Sequence, residues 1–156
     1  MPIKSFQGER AQTKRIVPKK LSVADIMCST LVVFKPEQSI HEVMRQFIKN
    51  RISGGPVVDE KGHLVGVISE ADCMKEISDS RYFNMPILDK SVAHFMTKNV
   101  DSIDPELSVF EAAALFSKTS RILFPVMRNN LLVGQISRKD VVIAALNMKS
   151  QTWGAK

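Results

Sequence analysis

From Ser39 the chain alternates polar and apolar residues with a helical period. Ile40, Val43, Met44, Phe47 and Ile48 recur at the spacing of one helix face. Ser39 with Glu42 three positions on forms the reciprocal capping box that opens such a helix. The period then shortens. Pro56 to Gly62 reads as a strand running into a hairpin turn, and Leu64 to Ile68 as the returning strand. Ser69 opens a last helix. Before all this, Ser22 caps a short helical turn ending at Met27, and an extended segment leads from it to Ser39.

The same pattern then repeats. The stretch from Val23, VADIMCSTLVVFKPEQSIHEVM, aligns with that from Val92, VAHFMTKNVDSIDPELSVFEAA, and the match continues through the hairpin and into the last helix with one residue deleted at the turn. Met27 pairs with Met96, Pro36 with Pro105, Ser39 with Ser108, Glu42 with Glu111, Pro56 with Pro125, Gly66 with Gly134 and Asp72 with Asp140. The expected fold is α/β of the α+β kind, β-α-β-β-α twice. Its expected parts are repeat 1 over 21–78, a linker over 79–90 carrying Pro86, and repeat 2 over 91–149, flanked by tails 1–20 and 150–156. Neither half hides its helix face and sheet alone, so the two should pack about a pseudo-two-fold axis.

Composition narrows the function. A chain of 156 residues allows one domain or two small repeats and leaves no room for a separate substrate domain. No apolar run approaches the ~20 residues of a membrane helix, and the N-terminus lacks a secretory h-region, so the expectation is a cytoplasmic protein without membrane contact. Cys28 and Cys73 have no C-x-x-C spacing and read as core residues. His41, His63 and His94 share no ligand spacing, so no metal site is expected. No P-loop, G-x-G-x-x-G or nucleophile motif occurs, which argues against an enzyme. The eight methionines read as packing. Of the net charge of +6, residues 1 to 20 carry +5, from Lys4, Arg10, Lys14, Arg15, Lys19 and Lys20 against Glu9. Such an arm reads as a solvated leader, or as a contact for nucleic acid or an acidic partner.

With G-x-I-S-x-x-D at the third strand of both copies and P-V at the second, extended to P-V-x-D in the first copy, the paired units resemble cystathionine β-synthase (CBS) domains over roughly residues 21 to 149. The resemblance implies a regulatory pair, or Bateman module, with two nucleotide sites in the cleft between repeats, and commonly a homodimer. It assigns to one site Thr30, Leu31, Val32, Ile52, Ser53 and Gly54 facing Ser137, Arg138, Lys139 and Asp140. To the other it assigns Asn99, Val100, Asp101, Arg121, Ile122 and Leu123 facing Ser69, Ala71 and Asp72. The chemistry fits an adenine nucleotide. An ionised Asp accepts from two ribose hydroxyls, a serine at a helix N-terminus suits a phosphate, and Ile52 with Ile122 can sandwich the base while backbone groups read its edge.

Ser-x-x-Asp is also a plain capping arrangement, and that reading stays open. The sites should differ, because Arg138 and Lys139 stand beside Ser137 where repeat 1 has Glu70 and Ala71. Phosphate should prefer the first site. The second, with Glu70 expected near its phosphate and Asp101 on its strand, suits adenosine, S-adenosylmethionine or nothing. Arg121 either reaches into it or stays solvated. The leading expectation is a sensor of AMP, ADP or ATP that signals to a partner. The alternatives are a nucleic-acid-associated regulator using the basic arm and a structural dimer with degenerate sites.

Overall fold

The computed structural model describes residues 20–82 and 90–153. The basic arm up to residue 19, the part of the linker around Pro86 and residues 154–156 lie outside the described residues. The order is α1 (Val23–Ile26), α2 (Ile40–Asn50), β1 (Gly54–Val58), β2 (Leu64–Ser69), α3 (Glu70–Tyr82), α4 (Val92–Phe95), α5 (Val109–Lys118), β3 (Leu123–Arg128), β4 (Leu131–Ser137) and α6 (Arg138–Trp153). The last helices outrun the expected repeat boundaries, α3 reaching Tyr82 and α6 Trp153.

The long helices begin where the capping pattern placed them. Ser108 Oγ accepts the Glu111 amide at 3.1 Å while Glu111 Oε2 accepts the Ser108 amide at 2.9 Å. In α2 the apolar face buries Ile40, Val43 and Phe47. Ile48, expected on that face, is 81% exposed. It stands one residue past Phe47, turned about 100° around the axis from it. The helix closes at Arg51, whose left-handed φ of 53° lets its amide reach the carbonyls of Phe47 and Ile48.

Each half holds a two-stranded antiparallel sheet, β1 with β2 and β3 with β4, and each carries an irregularity one residue beyond the Val–Gly pair, Val57 with Gly66 and Val126 with Gly134. The deleted residue is absorbed at the turn. The first hairpin uses Gly62 at φ 81°, whereas the second turns on Asn129 and Asn130 at φ 50° and 62°, the residue type and geometry of a tight two-residue hairpin. The expected first strand of each half shrinks to a single parallel bridge, Phe34 with Val57 and Ile103 with Val126.

The short helical turns do not stay with the repeat they precede. Residues of α1 bond to the second half, Val23 N–H to Leu107 O at 2.8 Å and Ala24 N–H to Pro105 O at 2.9 Å. Residues of α4 bond to the first, Val92 N–H to Gln38 O and Ala93 N–H to Pro36 O, both at 2.9 Å. The chain after each turn then adds an antiparallel bridge to the other half's sheet, Cys28 with Gln135 and Thr97 with Val67. Every such contact has a mate with the halves exchanged, the reciprocity of a two-fold relation. Two cores result. One gathers Phe34, Phe47, Val57 and Ile68 with Val92, and the other gathers Phe116, Phe124, Val126 and Ile136 with Val23.

Candidate functional site

Two of the cavities lined by residues from both halves hold the expected site residues, and they differ in size and charge. The larger, about 600 Å³, is lined by Ile52, Ser53 and Gly54 on one side and Ser137, Arg138, Lys139 and Asp140 on the other. The smaller, about 180 Å³, is lined by Val100, Asp101, Arg121, Ile122 and Leu123 with Ser69, Ala71 and Asp72. The expected sets thus come together with few exceptions. Thr30, Leu31 and Val32 are not in the lining of the larger cavity. Thr30 is exposed and its carbonyl accepts the Cys28 thiol at 3.4 Å, while Val32 packs on the first core. Asn99 is likewise outside the lining of the smaller cavity and acts through its carbonyl, described below.

Each Ser-x-x-Asp element sits where a strand passes into a helix. The first helical amides bond across the neighbouring loop, Glu70 N–H to Ser53 O at 2.9 Å and Arg138 N–H to Ile122 O at 3.4 Å. The capping reading is realised. Asp140 Oδ2 accepts from Ser137 N at 2.8 Å and Ser137 Oγ at 2.9 Å, and Asp72 Oδ2 accepts from Ser69 N and Oγ at 2.8 and 3.0 Å. These bonds use one oxygen of each carboxylate. Oδ1 of Asp140 has no hydrogen bond among the described residues, so the cap leaves an acceptor on the cavity side chain.

The cavities also differ at positions substituted between the repeats. Gly54 stands opposite its counterpart Leu123, and a Cβ on Gly54 would lie 2.9 Å from Leu123 Cδ2 and 2.8 Å from Ile68 O. The smaller cavity is narrowed further by an ion pair. Arg121 reaches in, its Nε 3.2 Å and its terminal nitrogen 3.1 Å from Asp101 Oδ2, while that nitrogen also donates to Asn99 O at 3.1 Å. In the first repeat the matching positions are the apolar Ile52 and Val32. Arg121 is thus engaged with an internal carboxylate, which lowers what it can offer a phosphate.

Three placements depart from expectation. Glu70 lines the larger cavity, not the smaller, because it opens α3 directly after Ser69 while Ala71 turns toward both cavities. Cys28, expected in the core, is exposed and lines the larger cavity, since the exchanged segment carries it onto the edge of the other half's sheet. Cys73 is buried as expected, and burial, reinforced by Asp72 and Glu70, pushes its thiol up to about 11. The methionines are mixed, Met74 being 57% exposed.

Sequence reasoning also missed Arg51 and Gln135, both in the lining of the larger cavity. The left-handed cap that turns the chain at Arg51 has no glycine to announce it, and Gln135 is a polar residue where the first repeat's G-V-I-S strand has Val67, with nothing local in the sequence to mark it as facing a cavity. With Arg51, Arg138 and Lys139 against Glu70 and Asp140, the larger cavity carries a net positive lining. Among the described residues no group of three or more His, Cys, Asp or Glu is placed to hold a metal ion, and no helix is long and apolar enough to cross a membrane.

Comparison with known proteins agrees with this architecture. The structure of CBSX2 in complex with AMP superposes with a TM-score of 0.72 at 28% identity, covering 83% of this chain and 98% of that one. The CBS domain pair of MJ0100, solved with 5′-methylthioadenosine and S-adenosylmethionine, gives 0.71 at 27% identity over the same shares. The uncharacterised protein MJ1426 of Methanocaldococcus jannaschii is 29% identical over 153 residues, which cover 80% of this chain and 90% of the relative. By contrast, the chain spans only 14% of the A-adding tRNA nucleotidyltransferase of Aquifex aeolicus, to which it is 26% identical over 125 residues. The CBS domain profile matches residues 23–79 and again 92–147. Two sequence copies, two equivalent sheets and two profile matches coincide, and the chain belongs to the CBS domain family, with two CBS domains in tandem.

Proposed function

We propose that this chain is a non-catalytic regulatory module that binds an adenine nucleotide, AMP, ADP or ATP, in the larger cavity and reports its occupancy to a partner protein. The observation that carries the reading is the composition of that cavity. Cationic Arg51, Arg138 and Lys139, the free oxygen of Asp140 and apolar Ile52 and Ile122 converge from both halves. Phosphate meets the cations through charge-assisted bonds, the ribose hydroxyls donate to Asp140 Oδ1, and the isoleucines bury the base. The adenosyl ligands of CBSX2 and of MJ0100 support the same class here.

Because the lining comes from both halves, a nucleotide favours whichever relative arrangement closes on it, and shifts the affinity for a partner by that difference. The smaller cavity, spanned by the Arg121–Asp101 pair, suits an uncharged or cationic adenosyl compound such as adenosine or S-adenosylmethionine, or stays empty. Exposed Met74 and Ile77 on α3 and Val142, Ile143 and Leu146 on α6 support assembly as a homodimer through the last helices.

A thermal-shift screen with AMP, ADP, ATP, S-adenosylmethionine and GMP tests the reading. A nucleotide at a hundred times its dissociation constant adds about 2.7 kcal/mol to stability. An adenine-selective rise that Asp140→Ala removes is the expected result. No rise with any ligand leaves a structural dimer with degenerate sites. A protein that ignores nucleotides but binds nucleic acid in a steeply salt-dependent way, lost on deleting residues 1 to 20, is the basic-arm regulator instead.

A further inference from the structure

Gln135 is the carboxamide in the lining of the larger cavity, and its Oε1 is buried with no hydrogen-bond partner among the described residues. It lies on β4 in an antiparallel bridge with Cys28, whose amide it accepts at 2.9 Å and whose carbonyl it meets at 3.0 Å. Directly bridged residues project to the same side of the ladder, and both side chains line the cavity. The matching pair in the other half is Val67 with Thr97, which lines the smaller cavity and offers no amide. A buried acceptor without a partner is costly, and a native structure keeps one where something else supplies the donor.

We infer that Gln135 is the specificity-determining residue of the larger cavity, its amide pairing with the exocyclic amine and N7 of adenine. This rests on the adenine-nucleotide reading of that cavity. The chemistry decides the base. An amide presents one acceptor beside one donor, and adenine presents the complementary donor beside an acceptor, the bidentate pairing by which glutamine reads adenine elsewhere. Guanine and hypoxanthine put a carbonyl beside N7 where adenine has its amine, so that edge offers two acceptors and one of them faces the amide oxygen whichever way the amide is turned. The terminal torsion of glutamine is soft, so the amide can turn from its buried position onto the base without moving the strand. The smaller cavity, with Val67 at this position, has no such reader and tells the purines apart less well.

The test is calorimetric titration of wild type and Gln135→Val with AMP, GMP and purine riboside 5′-monophosphate, which lacks the amine. Valine is the residue the other half already carries there. Wild type should bind AMP about ten-fold more tightly than either competitor, and in Gln135→Val the three affinities should draw together chiefly through the loss of AMP affinity. The unliganded variant should melt no lower than wild type, since the substitution removes the unpaired acceptor. A variant that keeps the wild-type AMP preference overturns the role of Gln135 while leaving the nucleotide site intact. A wild-type protein that binds no AMP overturns the functional reading and this inference with it.

Discussion

Gly134 and Gly66 have no room for a side chain. A Cβ on Gly134 would lie 2.6 Å from Met27 Sδ and 3.0 Å from Cys28 O, and one on Gly66 would lie 2.8 Å from Met96 Sδ and 3.0 Å from Thr97 O. The repeated glycines and methionines are thus one device, a bare stretch of strand on which the exchanged turn from the other half lays its thioether. Gly134→Ala should cost about 1–3 kcal/mol, the usual penalty of overpacking, read as a lower denaturation midpoint. Met27→Ala in the same chain should recover part of that loss, because it removes the atom in the way, although not the carbonyl. The two thiols give a second check at this scale. At pH 8 iodoacetamide should modify exposed Cys28 and spare Cys73, whose buried thiol holds its proton to about 11. Bound AMP should slow the Cys28 reaction, and mass spectrometry distinguishes one adduct from two.

At the scale of elements, what was local in sequence was legible. The reciprocal capping box at Ser108, the one-way cap at Ser39, where the hydroxyl accepts from the Glu42 amide, the hairpin strands and the last helices all depend on neighbours within a few positions, and they stand where the spacing put them. The exchange of α1 and α4 was not legible, because Ser22 to Met27 reads the same whichever sheet receives it, and the choice is made by partners such as Leu107 and Gln38. The same cause explains Cys28, whose exposure depends on the edge it joins, and Gln135, whose cavity exists only once both halves meet. Ile48 failed for a different reason, since five apolar residues cover a wider arc than one buried face.

The α5 cap also carries a pH prediction. The backbone N–H of Ser108, and then its hydroxyl, hold the Glu111 carboxyl below its ordinary 4.5. Its folded pKa is depressed, so its contribution is complete above 4.5 and is lost as the pH falls through the lower folded value. In Glu111→Gln the melting temperature should fall less steeply than in wild type on acidification below pH 4.5. Parallel curves would show that the cap contributes nothing through charge.

At the scale of the whole molecule, two equivalent places have become unequal. Duplication supplies two clefts of one plan, and a few substitutions separate them. Gly54 lines only the larger while its counterpart Leu123 borders both, Arg121 and Asp101 put an ion pair in the smaller where Ile52 gives the larger an apolar wall, and Arg51, Arg138 and Lys139 outweigh Glu70 and Asp140 in the larger. The candidate site residues were therefore legible as two sets, whereas their difference in volume exists only once both halves pack. If the exposed apolar residues of α3 and α6 form a dimer face, sedimentation should give twice the chain mass of 17.5 kDa, and Leu146→Glu should shift it toward monomer.

Binding of one adenine nucleotide at the cavity capped by Asp140 underlies the proposed function. It is tested most directly by calorimetric titration of AMP into wild type, Asp140→Asn and Asp72→Asn, the asparagines keeping the size of the capping side chain. The expected result is saturable binding to wild type, an affinity at least ten-fold weaker in Asp140→Asn through loss of the charged acceptor, and near wild-type affinity in Asp72→Asn. Equal binding by all three proteins, or loss confined to Asp72→Asn, would contradict it.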